Sequence, residues 1–397
     1  LLDNPSIKTF SNSGNTLDVD VSEDITYKIV VNSYGEVTSM YVTNGTYSYS
    51  KSNSSGIKKK DIKLDDIIEG TIDEDASAKV TLFDKLLVNN PTIQTRSSFN
   101  TVFTTTNTGT LYKAIESIAG SAAKDVYYFA GDAKNNWVKF AGFYWRIIRT
   151  NHDGSVRLLY SGTSTDTTSG YIGTRAFNSA FNNPRYVGYM YGTSGSLASN
   201  RTNTNNSTIK TYIDNWYSTN LSSYSKYIST EAVYCNDRKA PSYNTSDSFD
   251  YYVYTRLKAG NPTYDCEDSK DAFSGSNSEA KLTYPIGLMT ADEITYAGGY
   301  KYTDLTSPYA WYYLNSAGGS ITGSTLWWLL SPNFWSGSGA YPSVVYGSSR
   351  PGNLNYNDVD YSNGVRPAIS LKTCTLWKNG NGSPENPYEI EETESGC

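Results

Sequence analysis

Histidine, methionine and charge are scarce in this sequence. Of 397 residues one is His (His152), three are Met, and only 18% are charged. A lone imidazole excludes zinc sites of the usual His/Cys type, because no second His exists and the cysteines form no CxxC pair. A Ser-His-Asp or Cys-His machine would have to run through His152, which falls in an expected hairpin turn at 150–154. No Gly-x-Ser-x-Gly elbow accompanies it. Neither a phosphate loop nor a Gly-x-Gly-x-x-Gly after a strand occurs, so nucleotide chemistry has no support. The formal charge of −6 comes with no basic stripe, which argues against nucleic acid as a partner. The one basic run, Lys58-Lys59-Lys60, is followed at once by Asp61, Asp65 and Asp66 and reads as a solvated loop. No apolar run approaches the ~20 residues a membrane helix needs. Leu1 rather than Met at the start raises the expectation that a leader or anchor precedes this chain.

Aromatic and small polar residues are what the sequence has instead. There are 36 Tyr beside 12 Phe, and Ser, Thr, Asn and Gly fill much of the rest. That balance fits exported bacterial surface proteins better than cytosolic enzymes. The four cysteines allow three connectivities. Sequence proximity favours Cys235–Cys266 and Cys374–Cys397, each worth ~3 kcal/mol in an oxidising compartment; four free thiols are the alternative.

The bias peaks at residues 327–363. Of these 37 residues, eight are aromatic, seven Ser, five Asn and four Gly, with Lys and Glu absent and Arg350 the only basic residue. Such a vocabulary is that of an antibody paratope, in which rigid amphipathic rings supply contact area and small polar residues adapt. Directly after it, Gly364-Val-Arg-Pro-Ala-Ile-Ser-Leu371 reads as a buried closing strand. A Tyr-rich meander that binds nothing is the plain alternative.

The length suggests two or three domains. Residues 25–31 and 37–42 form a hairpin across 32–35, and 46–49 a third strand, within a small β-rich N-terminal domain whose linker ends at 75. Residues 76–125 read as a partly helical connecting segment, with helices at 82–87 and 111–118. Strands then dominate: 140–148 pairs with 155–161. Residues 208–217 read as an amphipathic helix capped by Ser207, with Ile209, Ile213, Trp216 and Tyr217 inward. Thr290-Ala-Asp-Glu293 is a capping box whose helix ends at Gly298-Gly299. Residues 235–280 read as a long loop region. No repeat of solenoid or propeller period appears. The order indicates an α+β domain with a mixed, partly antiparallel sheet over 126–372, followed by a C-terminal tail at 373–397.

Glycosidase chemistry needs only two carboxylates. Asp292 and Glu293 lie at a helix start, where capping accounts for them. Asp358 and Asp360 sit in the aromatic stretch and read as solvated loop positions rather than calcium ligands.

Several segments occur together in one order: Tyr144-Trp-Arg-Ile-Ile148, residues 209–216, Tyr284-Pro-Ile-Gly-Leu-Met-Thr-Ala-Asp-Glu293, Trp327-Trp-Leu-Leu-Ser-Pro332 and Gly364-Val-Arg-Pro-Ala-Ile-Ser-Leu371. Over roughly residues 126–371 this series resembles bacterial surface proteins of C-type-lectin-like fold. It is also similar to the variable proteins diversified by retroelements, which display mutable side chains near the C terminus. The Glu-Pro-Asn triplet of calcium-dependent sugar-binding lectins is missing, since Pro384-Glu385-Asn386 has the wrong order, so no calcium-bridged site is implied. The paired cysteines of the formylglycine-generating oxidase of this fold are missing as well. The resemblance implies a secreted or cell-surface receptor or adhesin without catalysis, metal or cofactor, whose partner is a protein or glycan on another surface. Its exposed ligand face would comprise Trp335, Tyr341, Ser343, Tyr346, Ser348, Arg350, Asn353, Asn355, Tyr356, Asn357, Asp358 and Tyr361. Trp335, Tyr346, Tyr356 and Tyr361 would be the anchors, and Arg350 would orient an acidic or carbonyl group. Trp327, Trp328 and Phe334 would be partly core. A polysaccharide-acting enzyme and a structural pilus or surface-layer subunit are the rival readings.

Overall fold

Sheet outweighs helix throughout the computed structural model, which is mixed α+β. It describes residues 7–13, 16–21, 26–31, 36–42, 57–58 and 80–397, apart from 241, 242 and 244. The chain divides into two compact units, Leu1–Val80 and Thr81–Cys397. No helix among the described residues is long and apolar enough to cross a membrane.

In the N-terminal unit, β1 (Ile7–Ser13), β2 (Thr16–Val21), β3 (Thr26–Val31), β4 (Glu36–Val42) and β5 (Ile57–Lys58) follow one another in a single antiparallel sheet. The expected hairpin is β3–β4, in register from Tyr27↔Val42 to Val31↔Val37. The strand expected at 46–49 lies outside the described residues, as does the linker at 51–75 apart from β5.

The larger unit opens with α1 (Leu82–Asn89), where the Asp84 amide donates to the Thr81 hydroxyl and Leu82 and Leu86 are buried. Its main sheet then takes β6 (Thr92–Gln94), β7 (Thr110–Glu116), β8 (Lys124–Tyr128), β9 (Trp137–Phe140), β10 (Phe143–Thr150) and β11 (Val156–Tyr160). Two α-helices longer than a single turn follow, α2 (Thr208–Asn220) and α3 (Tyr252–Lys258). After them come β12 (Gly287–Leu288) and α4 (Ala291–Ala297). The aromatic-rich region is β13 (Trp327–Trp335), β14 (Ala340–Val345), β15 (Leu354–Tyr356) and β16 (Asn363–Gly364). The chain closes with β17 (Pro367–Leu371), β18 (Trp377–Asn379) and β19 (Tyr388–Ile390).

The main sheet runs β12-β17-β11-β10-β8-β7-β6, with β9 also against β10 and β19 joining β9 to β18. β10 and β11 are central, so nearly every residue from Trp145 to Tyr160 within them is buried. A second sheet places β16, β13, β14 and β15 side by side, and Phe249–Asp250 pairs with the end of β13. One continuous apolar core lies between these elements, built around Trp145, Ile147, Leu158, Trp311, Trp327 and Trp328. The expected β10–β11 pairing is present, from Trp145↔Tyr160 to Thr150↔Val156.

Local signals placed the helices well. Ser207 caps α2 through the Lys210 amide, and Ile209, Ile213 and Tyr217 are buried. α4 carries the full capping box and stops at Gly298, whose φ of +121° suits glycine. A Cβ there would meet the Phe103 carbonyl oxygen at 2.1 Å. Both disulfides, Cys235–Cys266 and Cys374–Cys397, are formed.

Four expectations are corrected. Residues 111–118 are not helical: Thr110–Glu116 forms β7, paired with β8 from Tyr112↔Tyr128 to Glu116↔Lys124. Thr, Tyr and Ile favour the pleated surface, and a neighbouring strand outweighs a short helical spacing. Segment 76–125 is therefore not a connector from residue 81 onward but supplies α1 and three strands of the main sheet. The C-terminal tail likewise belongs to the domain, because buried Tyr388 pairs with Val138. The loop region 235–280 also contains α3, which sequence reading missed.

Candidate functional site

β13 and β14 are antiparallel and set Phe334 opposite Tyr341, while β14 and β15 set Ser343 opposite Tyr356. Segment 300–303 lies along the outer side of β15: Lys301 bridges Leu354, and the Tyr302 amide donates to the Leu354 carbonyl at 2.9 Å. Four successive pieces of backbone thus each present one ring to the same run. Phe334 and Tyr341 stack in parallel with centroids 4.3 Å apart. Tyr356 stands edge-on to both, at 4.7 and 5.6 Å. Tyr302 continues the run 6.0 Å from Tyr356. Offset-stacked and edge-to-face contacts of this kind hold rings rigid. Phe334, Tyr341 and Tyr356 are half-buried, and Tyr302 is 40% exposed.

Tyr302 sits at φ +58°, a left-handed conformation that costs an aromatic residue ~1–3 kcal/mol. Its hydrogen bond to Leu354 and the Thr303 amide bonded to the Tyr300 carbonyl hold that turn in place. Beneath lies Lys301, only 7% exposed, its amine against the Tyr254 ring and 4.8 Å from the centroid of Tyr302. Burial pushes this amine down to about 6, with Asp250 acting the other way, and its nitrogen has no hydrogen-bond partner. Burial, then the Asp358 carboxylate, raises the Tyr341 hydroxyl.

The twelve residues read from the sequence divide into groups. Tyr341 and Tyr356 belong to the ring run, and Asp358 reaches Tyr341. Tyr346 and Arg350 form a second group, the Arg350 guanidinium lying 5.6 Å from the Tyr346 ring and 3.4 Å from Asp304, while the Ser348 amide donates to the Gly323 carbonyl and Asn355 donates to Asn353 at 3.1 Å. Arg350 is thus paired with a carboxylate at the surface. Asn357 donates to Asn363 at 3.3 Å, which shapes the turn carrying Tyr361, the most exposed aromatic ring of the region at 57%.

Trp335, Ser343 and Asn353 are not on an exposed face, and that expectation is corrected. Trp335 is buried, and its indole N–H donates to the Thr245 carbonyl at 3.1 Å because Phe249–Asp250 covers the end of β13. Ser343 accepts from Asn333 inside the sheet, and Asn353 donates to Asp304 at 2.6 Å. Phe334 and Tyr302 take the places that Trp335 was expected to fill. The alternation of β13 allows either Phe334 or Trp335 to face outward. Tyr302 carried only a weak signal, the Tyr300-Lys-Tyr302 triplet that ends 54 positions before Tyr356.

The unit's interior holds a charged cluster that the sequence did not reveal. Arg149 donates to Glu116 at 2.8 Å and to Glu293 at 2.9 Å, and Arg157 donates to Glu293 at 2.7 Å, all four side chains being buried. Glu293 therefore both caps α4 and accepts from two guanidinium groups, whose charge it balances together with Glu116. His152 lies in the expected turn, and its backbone amide donates to Glu116. No group of three or more His, Cys, Asp or Glu among the described residues is arranged to hold a metal ion. No protein-family model matches this chain, and neither does any curated protein or solved structure.

Proposed function

We propose that this chain is a secreted or surface-displayed ligand-binding protein, adhesin-like, whose recognition face is the ring run Phe334–Tyr341–Tyr356–Tyr302 with the adjoining Tyr346, Arg350 and Tyr361. The observation that carries this reading is the contrast within one sheet. Trp327, Trp328, Leu329 and Leu330 of β13 are fully buried, yet the rings at its far end stay partly open to solvent in fixed mutual contact. Half-exposed rigid rings bordered by Ser, Asn and Gly are the anchors on which binding energy concentrates. The strain at Tyr302 supports the same reading, since such outliers cluster at working sites. Two disulfides fit an oxidising, extracellular setting. The scaffold of residues 126–372 is taken to be C-type-lectin-like, and the loop-rich stretch 327–363 to be diversified by a retroelement.

The partner is a protein or glycan on another surface. In a binding screen against candidate cell surfaces, the double variant Tyr341→Ala, Tyr356→Ala is expected to lose at least 100-fold in affinity, roughly two anchors of 2 kcal/mol each. Its Tm should fall by only a few degrees. Unchanged binding in a folded variant would remove the face from consideration. Diversification has its own test, deep sequencing of the gene's 3′ end across one population. Substitutions confined to codons 327–363 and to adenines are expected; an invariant end would refute it.

A further inference from the structure

The ring run has a charge as well as a shape. Asp250 is the ladder partner of Phe334 at the end of β13, and Asp358 is hydrogen-bonded to the Tyr341 hydroxyl. Two half-buried carboxylates thus stand beside different rings of one run. Asp250 also acts on the Tyr302 hydroxyl, which burial, Tyr356 and this carboxylate together raise. Neither Asp250 nor Asp358 is in an ion pair among the described residues. Asp360, two residues beyond Asp358, is exposed.

The cations around the face are mostly engaged elsewhere. Arg350 is held by Asp304 at 3.4 Å and lies over Tyr346. Lys301 is buried beneath Tyr302, and its amine, pushed down by burial to about 6, brings little charge at neutral pH. Arg175, which pairs with Asn363 of β16, lies over Tyr212 at 4.5 Å, and Arg185 lies over Tyr186 at 4.8 Å. Lys258 is exposed at the end of α3, where its carbonyl accepts from the Tyr300 hydroxyl at 3.3 Å. Asp250, Asp358 and Asp360 outnumber it. Among the described residues no cation lies over Phe334, Tyr341 or Tyr356.

We propose that the ring run recognises a basic segment of a partner protein, with an arginine side chain laid on the open rings and its guanidinium directed to Asp250 or Asp358. This rests on the recognition face proposed above and names the chemistry of its partner. A guanidinium is planar and weakly hydrated, and it stacks on an aromatic face while bonding a carboxylate through two N–H groups. The chain makes the same combination internally, where Arg149 lies over Tyr264 at 4.4 Å and bonds Glu116 and Glu293. An acidic partner would instead meet two carboxylates that no cation neutralises, and like charges at an interface select against it.

The test is calorimetric titration of the full chain with a capped peptide of alternating Arg and Gly. Two control peptides carry citrulline or Glu in place of Arg. The Arg peptide is expected to bind, and to bind less well as salt rises, because exposed charges are screened. Asp250→Asn and Asp358→Asn should each weaken it at least threefold with Tm within a few degrees, and Tyr341→Ala, Tyr356→Ala at least tenfold. Glu385→Gln, Glu392→Gln removes two exposed charges outside the face and should leave affinity within twofold. No binding of the Arg peptide overturns the proposal, as does equal binding of the citrulline or Glu peptide. So does an equal loss in the Glu385, Glu392 variant, which would mean only attraction to a chain of net charge −6. A screened partner lost in the tyrosine variant but indifferent to both Asp substitutions would leave the face standing and overturn its basic occupant.

Discussion

Glu293→Gln is expected to destabilise the larger unit by about 3–5 kcal/mol, the cost of breaking a buried ion pair by removing one partner. Glu293 accepts from Arg149 at 2.9 Å and from Arg157 at 2.7 Å through a single oxygen, all of them almost wholly out of water. Gln keeps the shape and part of the capping box but returns no charge. Arg157 then has no carboxylate bonded to it, while Arg149 keeps only Glu116. Chemical denaturation read by intrinsic fluorescence measures the loss, and a change below about 1 kcal/mol would show that the cluster is dispensable. Acid should act the same way on the wild type. Burial alone would raise the Glu116 carboxyl, but Arg149, with hydrogen bonds from His152 and Arg149, outweighs it and holds the group at about 2. Glu293 is lowered likewise against its burial, by Arg157 and Arg149. Both folded values lie below the unfolded one, so their stabilisation is present above pH ~4.3 and is lost as pH falls from there toward 2. The midpoint in a denaturant series should therefore drop across that window. In Glu293→Gln it should drop less.

Trp328→Ala is expected to cost about 3–5 kcal/mol, with no direct effect on the recognition face. The indole is fully buried, packs 5.8 Å from the Phe177 ring and donates to the Arg175 carbonyl at 2.8 Å. Its removal leaves a cavity beside Phe177, together with a carbonyl acceptor at Arg175 that has lost its donor. Set beside the Tyr341→Ala, Tyr356→Ala variant, it separates scaffold from face on a single sheet. Trp328→Ala should lower Tm strongly, and at temperatures where it stays folded it should bind as the wild type does. A small change in Tm would mean that the core around β13 repacks freely.

What the sequence determined by itself was local. Ser207 and the Thr290–Glu293 capping box lie within four residues of what they cap, and both helices start where those residues predict. The β10–β11 hairpin needed only two β-rich runs and a turn. The disulfides were favoured by short spacing, and the closing strand 367–371 by its apolar run. The tertiary structure alone decided which residues of the aromatic stretch face water. Alternation on a strand says that Phe334 and Trp335 point opposite ways, not which way the solvent lies. Residues 245–250 settled that: Phe249 pairs with Trp335 from 86 positions away, and the Thr245 carbonyl takes its indole N–H. Tyr302 joined Tyr356 only because segment 300–303 lies along β15. Glu293 and Arg149, 144 positions apart, read as a cap and as a strand residue until the core brought them to 2.9 Å. Caps and turns are written in neighbouring residues, whereas burial and charge pairing depend on which distant elements share a layer.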